Sequence, residues 1–327
     1  MSGTSPGSAP VPLVSVIIRS MHRPTLGDAL GSVAAQSYPR VEVLLVNAKG
    51  GAHPAPGPWG PFPLRLLNQD GPPLARSTAA NLGLDAAQGE LALFLDDDDL
   101  ILPRHLGDLA AALASPASTW VAAYSITQCV DPNLEPLPRQ FATPYSHPRL
   151  MAGNFLPIHS VLFRLTQASR RCRFDEQLDL FEDWDFWLQL AELGPFRFLP
   201  QPTALYRISP SGGFGVNSGD PDSARRAVLR LAGQWQGRWS PPALYQLMEA
   251  GRLGFEARDQ LAELEPKSQA DQRLLAELQV RNQQLQQQLT VSDQALAALY
   301  DSQSWRWTRP LRQLAALVQQ WQAKSPG

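Results

Sequence analysis

The sequence predicts an α/β protein with a parallel sheet, followed by an α-helical coiled-coil extension, and three observations carry that expectation. Short β-branched runs alternate with helical stretches early in the chain. One apolar run, Leu91 to Leu95, empties straight into Asp96, Asp97, Asp98 and Asp99. From about Ala257, proline and glycine nearly vanish while Leu, Gln, Ala and Glu dominate up to Tyr300, which marks a second architecture.

The elements follow in order. Val14 to Ile18 is a β-branched run ending in polar residues, as suits a buried parallel strand. Pro24 and Thr25 stand where a helix would start, and Leu26, Leu30, Val33 and Ala34 recur at helical spacing until Tyr38 and Pro39 stop it. Val41 to Val46 is the second strand, which completes a βαβ unit and places ligand sites at the carboxyl ends of its strands. The prolines of HPAPGPWGPFP, residues 53 to 63, forbid a helix and predict a surface loop. Ala75 to Ala87 then reads as a helix and Leu91 to Leu95 as a strand.

A chain of 327 residues, 44% hydrophobic and 18% charged, can bury one sizeable core and still leave an appended segment. A net charge of -2 supplies no field that gathers nucleic acid, so no nucleic-acid partner is expected. Cys129 and Cys172 lie far apart without paired histidines, which signals neither a disulfide framework nor a zinc site. MSGTSPGSAP lacks a basic n-region, and Val11 to Ile18 is too short for a signal or a membrane span, so a cytoplasmic protein is expected. The expected partition is a disordered tail over 1–10, the α/β domain over 11–240, a helical linker and coiled coil over 241–300, and an amphipathic segment over 301–327.

Four adjacent carboxylates repel one another unless a cation compensates them. At the carboxyl end of a parallel strand their hard oxygens suit Mg²⁺ or Mn²⁺, an ion that also binds substrate phosphates. An acidic run can instead be a solvated loop that caps the next helix at its positive end, but the βαβ context points to the cation site. A second acidic pair, Glu182 and Asp183, opens a helix whose Phe186, Trp187 and Leu190 share a face. Acids there stabilise the helix through its dipole. Beside Phe181 and Trp184, however, Asp183 can be desolvated, with its pKa raised toward that of a working general base.

In combination, these residues resemble the family-2 glycosyltransferases of the GT-A fold, a Rossmann-like nucleotide-diphospho-sugar transferase architecture, of bacterial surface-polysaccharide or O-antigen type. The likeness runs from Val14 to Ser209. VSVIIRSMHRP resembles the opening strand and nucleotide loop, which brings in Arg19 as a donor contact. NLGLDAAQGELALFLDDDD resembles the stretch that leads to the DxD motif, FEDWDFWLQL the ED motif, and Leu205-Tyr206-Arg207 the end of the catalytic domain. The resemblance implies that Asp96 and Asp98, with Asp99 as a third oxygen source, hold a metal bridging the donor diphosphate, and that Asp97 belongs to the donor site. It makes Asp183 the base that takes the acceptor's proton in an inverting transfer, with Glu182 orienting it. It sets Arg76 and Asn81 near the nucleotide. Arg207 either meets phosphate or forms a structural ion pair.

Two departures stand out. Many members end the second strand with VDDGS, whereas this chain has Val46, Asn47, Ala48, Lys49 and Gly50, so an amide replaces the acid that addresses the nucleobase. The histidine that follows YR in many members is replaced by Ile208. His159 reads as an acceptor contact or as a satisfied core residue, and Trp184 and Trp187 as a sugar platform or core packing.

Positions 261, 264, 268, 271, 275, 278, 282, 285, 289, 292, 296 and 299 alternate by three and four, as the a and d sites of a coiled coil must. Asn282, at an a site, favours a parallel homodimer in register; the alternative is a single helix lying on the catalytic domain. Pro266 is expected to interrupt the first heptads. SQSWRWTRPLRQLAALVQQW resembles a segment often found at the ends of bacterial polysaccharide glycosyltransferases. Its Leu311, Leu314, Val318 and Trp321 share a face beside Arg306, Arg309 and Arg312, which suits either peripheral contact with the inner face of the cytoplasmic membrane or docking on protein. The function expected is transfer of a sugar from a nucleotide-sugar donor to a glycan or lipid-linked acceptor. A nucleotidyltransferase would need a Gly-rich loop where RSMHRP stands, and a scaffold that recruits other transferases through its coiled coil is the non-enzymatic alternative.

Overall fold

The computed structural model describes residues 11–54, 59–114, 119–178, 180–208 and 221–301. Three parallel strands, β1 (Val14–Ser20), β2 (Val41–Asn47) and β4 (Leu91–Asp96), form the centre of the sheet, with β3 (Leu64–Leu67) beside β2. The sheet continues through β8 (Val161–Arg164), β6 (Ala122–Val130), β9 (Phe196–Arg207) and β5 (Leu100–Ile101) in the order β3-β2-β1-β4-β8-β6-β9-β5. Strand β7 (Pro136–Phe141) pairs with β6 outside this path. The β4–β8, β6–β8 and β5–β9 pairings are antiparallel, so the sheet is mixed beyond its parallel half.

Pleating divides the side chains between two cores. Val14, Val16 and Ile18 of β1, with Val43 and Leu45 of β2 and Leu93 and Leu95 of β4, pack beneath α1 (Leu26–Ala34) and α3 (His105–Leu113). Ile17, Leu44, Val46 and Phe94 face the other way, toward α2 (Arg76–Ala86) and α5 (Glu182–Ala191). Helix α2 lies close on β1 because Gly83 has no side chain; a Cβ there would run into Ile17. On this second face the same pleat and register set Arg19 beside Asp96 at the carboxyl ends of their strands.

Helix α4 (His147–Ala152) and the 3-10 turn Ile158–Ser160 lead into β8. Helix α6 (Pro221–Trp235) is joined to α5 by Trp235, whose Nε1 donates to Asp185 Oδ1 at 2.7 Å, so Asp185 serves packing. The chain divides into two compact units, Met1–Ala250 and Gly251–Gly327.

Helix α7 (Pro241–Asp301) runs through Pro266 without the expected interruption; one proline removes a single backbone donor, and the helix carries 61 residues. The loop over 53–63 is less superficial than its prolines suggested. His53 is buried against Ser20 Oγ at 2.9 Å, and Trp59 and Phe62 pack on the α1 side of the core, while 55–58 lie outside the described residues. The tail over 1–10, Ser209, and the segment from 302 to 327, with Arg306, Arg309, Arg312 and Trp321, also lie outside them.

Candidate active site

A cleft of about 530 Å³ opens over the carboxyl ends of β1 and β4. It is lined by Arg19, Arg23, Arg76, Asp96, Asp98, Asp99, Glu182, Asp183 and Arg207, with an apolar side that includes Phe141, Phe155, Ile158, Phe181 and Val228. The predicted acids of the two motifs, some eighty-odd residues apart in sequence, therefore meet in one cavity.

Its floor is a quartet of charges. Arg19, 4% exposed, donates from Nε and Nη2 to the two oxygens of Asp96 at 2.8 and 2.9 Å, and from Nη1 to Glu182 Oε1 at 3.2 Å. Arg76, at the first turn of α2, lies 3.4 Å from Asp96 and 3.2 Å from Glu182. Burial opposes ionisation of Asp96, yet Arg19 and Arg76 hold its carboxyl down at about 2. Burial also works against the Arg19 guanidinium, and Asp96 and Glu182 more than reverse it, keeping that cation above its ordinary value.

Asp96, Asp98 and Asp99 each offer an oxygen, and these oxygens lie within 4.8 Å of one another. Burial, then Asp99 and Asp96, push the Asp98 carboxyl up to about 7. Asp99 Oδ1 accepts the Arg207 backbone N–H at 3.0 Å, and its Oδ2 lies 3.0 Å from Nδ1 of buried His159. His159 therefore sits beside an acid of the cluster, stacked on Tyr206 and buried in the wall of the cleft. The set is all oxygen, and each carboxylate has lone pairs beyond those its protein partners use, so these residues fit a hard divalent cation.

Across the cleft, Phe181 precedes α5 in the left-handed region, with φ 63 and ψ 23, a conformation that costs a bulky residue roughly 1–3 kcal/mol. Glu182 and Asp183 follow on the first turn. Glu182 turns into the quartet, and Asp183 accepts the Trp184 N–H at 2.8 Å and Asn154 Nδ2 at 2.9 Å. Burial and then Glu182 raise the Asp183 carboxyl to about 7, against the opposing pull of Arg76 and Arg19.

Several predicted residues lie elsewhere. Asp97 is fully buried and binds the Met21 N–H and Arg23, which fixes the loop after β1. Asn81 does not line the cleft: its amide exchanges two 3.0 Å bonds with the backbone of Phe174. Asn47 is spent likewise, its nitrogen on Gly51, Asn68 and Gln69 carbonyls and its oxygen on His22 and the Gly50 N–H. Arg207 lines the cleft but pairs with Asp28 at 2.8 Å. Trp184 and Trp187 are 5% and 0% exposed and donate to backbone carbonyls, so both serve packing, with Trp184 in the wall of the cleft. Sequence reasoning missed Arg23 and Asn154, both of which line the cleft and neither of which stands in a motif of its own.

Residues 61–173 match the family model described as Glycosyl transferase family 2. The chain is 23% identical over 205 residues to the uncharacterized glycosyltransferase YwdF of Bacillus subtilis (strain 168), covering 61% of this chain and 75% of that protein. Among solved structures it is similar to S. aureus TarS 1-349 in complex with UDP-GlcNAc, with a TM-score of 0.54 and 17% identity over 72% of this chain and 71% of that one. Against a longer S. aureus TarS chain the TM-score is 0.50 at 16% identity, over 72% of this chain, which spans only 43% of the TarS length. At such identities the structural likeness establishes the shared fold.

Proposed function

We propose that this chain is a metal-dependent, inverting glycosyltransferase that moves a sugar from a nucleotide-sugar donor to a glycan or lipid-linked glycan acceptor in cell-surface polysaccharide biosynthesis; the match of residues 61–173 to the Glycosyl transferase family 2 model supports a transferase. One observation carries the reading: the three acids of the DxD region and Asp183 line a single cleft at the carboxyl ends of parallel strands. Asp183, raised to about 7, is matched to proton transfer near neutral pH. The acceptor oxygen bonds to the anomeric carbon, the bond from that carbon to the diphosphate oxygen breaks, and the hydroxyl proton passes to Asp183. Asp96, Asp98 and Asp99 would hold Mg²⁺ or Mn²⁺, which when bound supplies positive charge for the leaving diphosphate. Arg23 and Arg76, both partly exposed in the cleft, meet the remaining phosphate charge. Arg19 and Glu182 keep the two acidic motifs at a fixed separation.

The UDP-GlcNAc complex of TarS supports a nucleotide sugar as donor. Homodimerisation through α7 is supported by Leu278 and Leu285, the two leucines among the four a and d sites whose side chains are described, which are 59% and 52% exposed in the single chain. Among the described residues no helix is long and apolar enough to cross a membrane, so peripheral contact with the cytoplasmic membrane rests on the sequence of 301–327 alone.

The experiment is a melting screen of the purified chain against UDP-, GDP- and dTDP-sugars with and without Mn²⁺. A donor that binds only the folded state at a hundred times its Kd adds about 2.7 kcal/mol of stability. The reading expects a metal-dependent rise with at least one donor, accompanied by nucleotide release. Absence of both across the panel would remove it.

A further inference from the structure

A general base must offer its lone pair to the incoming hydroxyl in one orientation. Asp183 stands in the first turn of α5, where a short side chain still has rotational freedom unless its oxygens are pinned. Oδ1 is held by the N–H of the next residue, Trp184, at 2.8 Å, a contact within its own helix. Oδ2 is held from another part of the chain, by Nδ2 of Asn154 at 2.9 Å, in the loop between α4 and the 3-10 turn.

The orientation of that amide is itself fixed. Asn154 Oδ1 accepts the Leu156 N–H at 3.0 Å, so the oxygen end is committed to a backbone donor and the nitrogen end must face the carboxylate. Asn154 and Asp183 both line the cleft. The charged groups around Asp183 are Glu182 on its own helix, Arg76 from α2 and Arg19 from β1. Both arginines are engaged with Asp96 and Glu182. Among the described residues, Asn154 is the one side chain that donates a hydrogen bond to Asp183.

We propose that Asn154 is a positioning residue for the transfer step: locked by the Leu156 N–H, its amide holds the Asp183 carboxylate with its free lone pairs toward the cleft. This rests on the reading of Asp183 as the base. The contact is made with the ionised carboxylate, so it favours that form against burial and the neighbouring Glu182 charge. Its loss leaves a base that ionises later and points less well.

The test uses the full chain and water as acceptor, following nucleotide release from UDP-GlcNAc, or from whichever donor stabilises the protein, as a function of pH. Water adds to the anomeric carbon, the bond to the diphosphate breaks, and one proton passes to Asp183. For Asn154→Ala the acidic midpoint of kcat is expected to move up by about one pH unit or more. Donor KM should be unchanged, and turnover should recover to within a few-fold at high pH. Should Asn154→Ala melt early, Asn154→Ser is read the same way, because its hydroxyl can still accept from Leu156 but falls short of Asp183. A merely structural asparagine lowers the melting temperature and leaves the midpoint in place; that result, or loss of turnover at every pH with donor binding intact, overturns the proposal. Asp183→Asn separates the two levels of the argument. If it removes the acidic limb while Asn154→Ala leaves it in place, only the positioning role falls; if it keeps wild-type turnover, the base assignment falls and the proposal with it.

Discussion

Replacing Arg19 by methionine keeps an unbranched apolar stem and removes the cation that Asp96 and Glu182 share. Arg19 is 4% exposed, Glu182 3%, and three hydrogen bonds are lost together. Removing one partner of a buried ion pair costs roughly 3–5 kcal/mol, because the carboxylates left behind are desolvated without compensation. Arg76 remains within 3.4 Å of both acids and offsets part of this, so the lower end of that range is expected. In a unit of the size of Met1–Ala250, one kilocalorie moves the melting temperature by about 2–4 °C, which places the expected fall at about 6–12 °C. Tryptophan fluorescence reports the transition, since Trp187 and Trp235 are buried in that unit. Adding Asp96→Asn to Arg19→Met should restore part of the loss by removing one orphaned charge. A single variant melting within about 2 °C of the wild type would refute the reasoning, for it would mean that water reaches these carboxylates.

Three further outcomes follow from the same geometry. Asp98→Ala should abolish metal-dependent donor binding and nucleotide release while preserving the fold, which calorimetric titration of donor with and without Mn²⁺ will check. In the ligand-free protein Asp183 holds a proton to about pH 7 that an unfolded carboxyl releases near 3.8, so its contribution to stability is greatest at low pH and falls across that window. Melting curves of wild type and Asp183→Asn should therefore diverge in slope between these values, the variant being flatter; parallel curves would contradict the burial of the acid. Asn282→Leu should tighten self-association and loosen its stoichiometry, read by sedimentation, and a monomeric wild type at micromolar concentration would dismiss the coiled coil.

The parallel half of the sheet was legible because its strands are short, largely apolar runs punctuated by turn residues, and Val14, Val41 and Leu91 start them as expected. The mixed half was not: β8 is four residues, β5 two, and β9 carries prolines that mask its pairing. In the site, the acids announced themselves by local sequence, yet their arrangement came from the pleat. Arg19 and Asp96 point to the same face because each lies an odd number of residues from Ile18 and Leu95, whose side chains face the other core. Asn47 and Asn81 show the opposite limit. Both stand at positions where the resemblance promised donor contacts, but an amide carries donors and acceptors that neighbouring backbone can claim, and here it does. Asn154 was invisible because its significance lies in a contact with a residue twenty-nine positions away.

The central claim is that Asp183 removes the acceptor proton while the acids at the end of β4 serve the donor, and the most direct measurement is single-turnover chemistry on Asp183→Asn beside donor affinity and melting temperature of the same protein. The variant keeps shape and hydrogen-bonding capacity but cannot accept the proton. Donor affinity should stay near the wild-type value, the melting temperature should not fall, and the chemical step should slow by about two to four orders of magnitude. An acid that merely serves the helix start would cost roughly a kilocalorie of stability and leave the chemistry intact. A well-folded Asp183→Asn protein with a near-normal single-turnover rate would contradict the account.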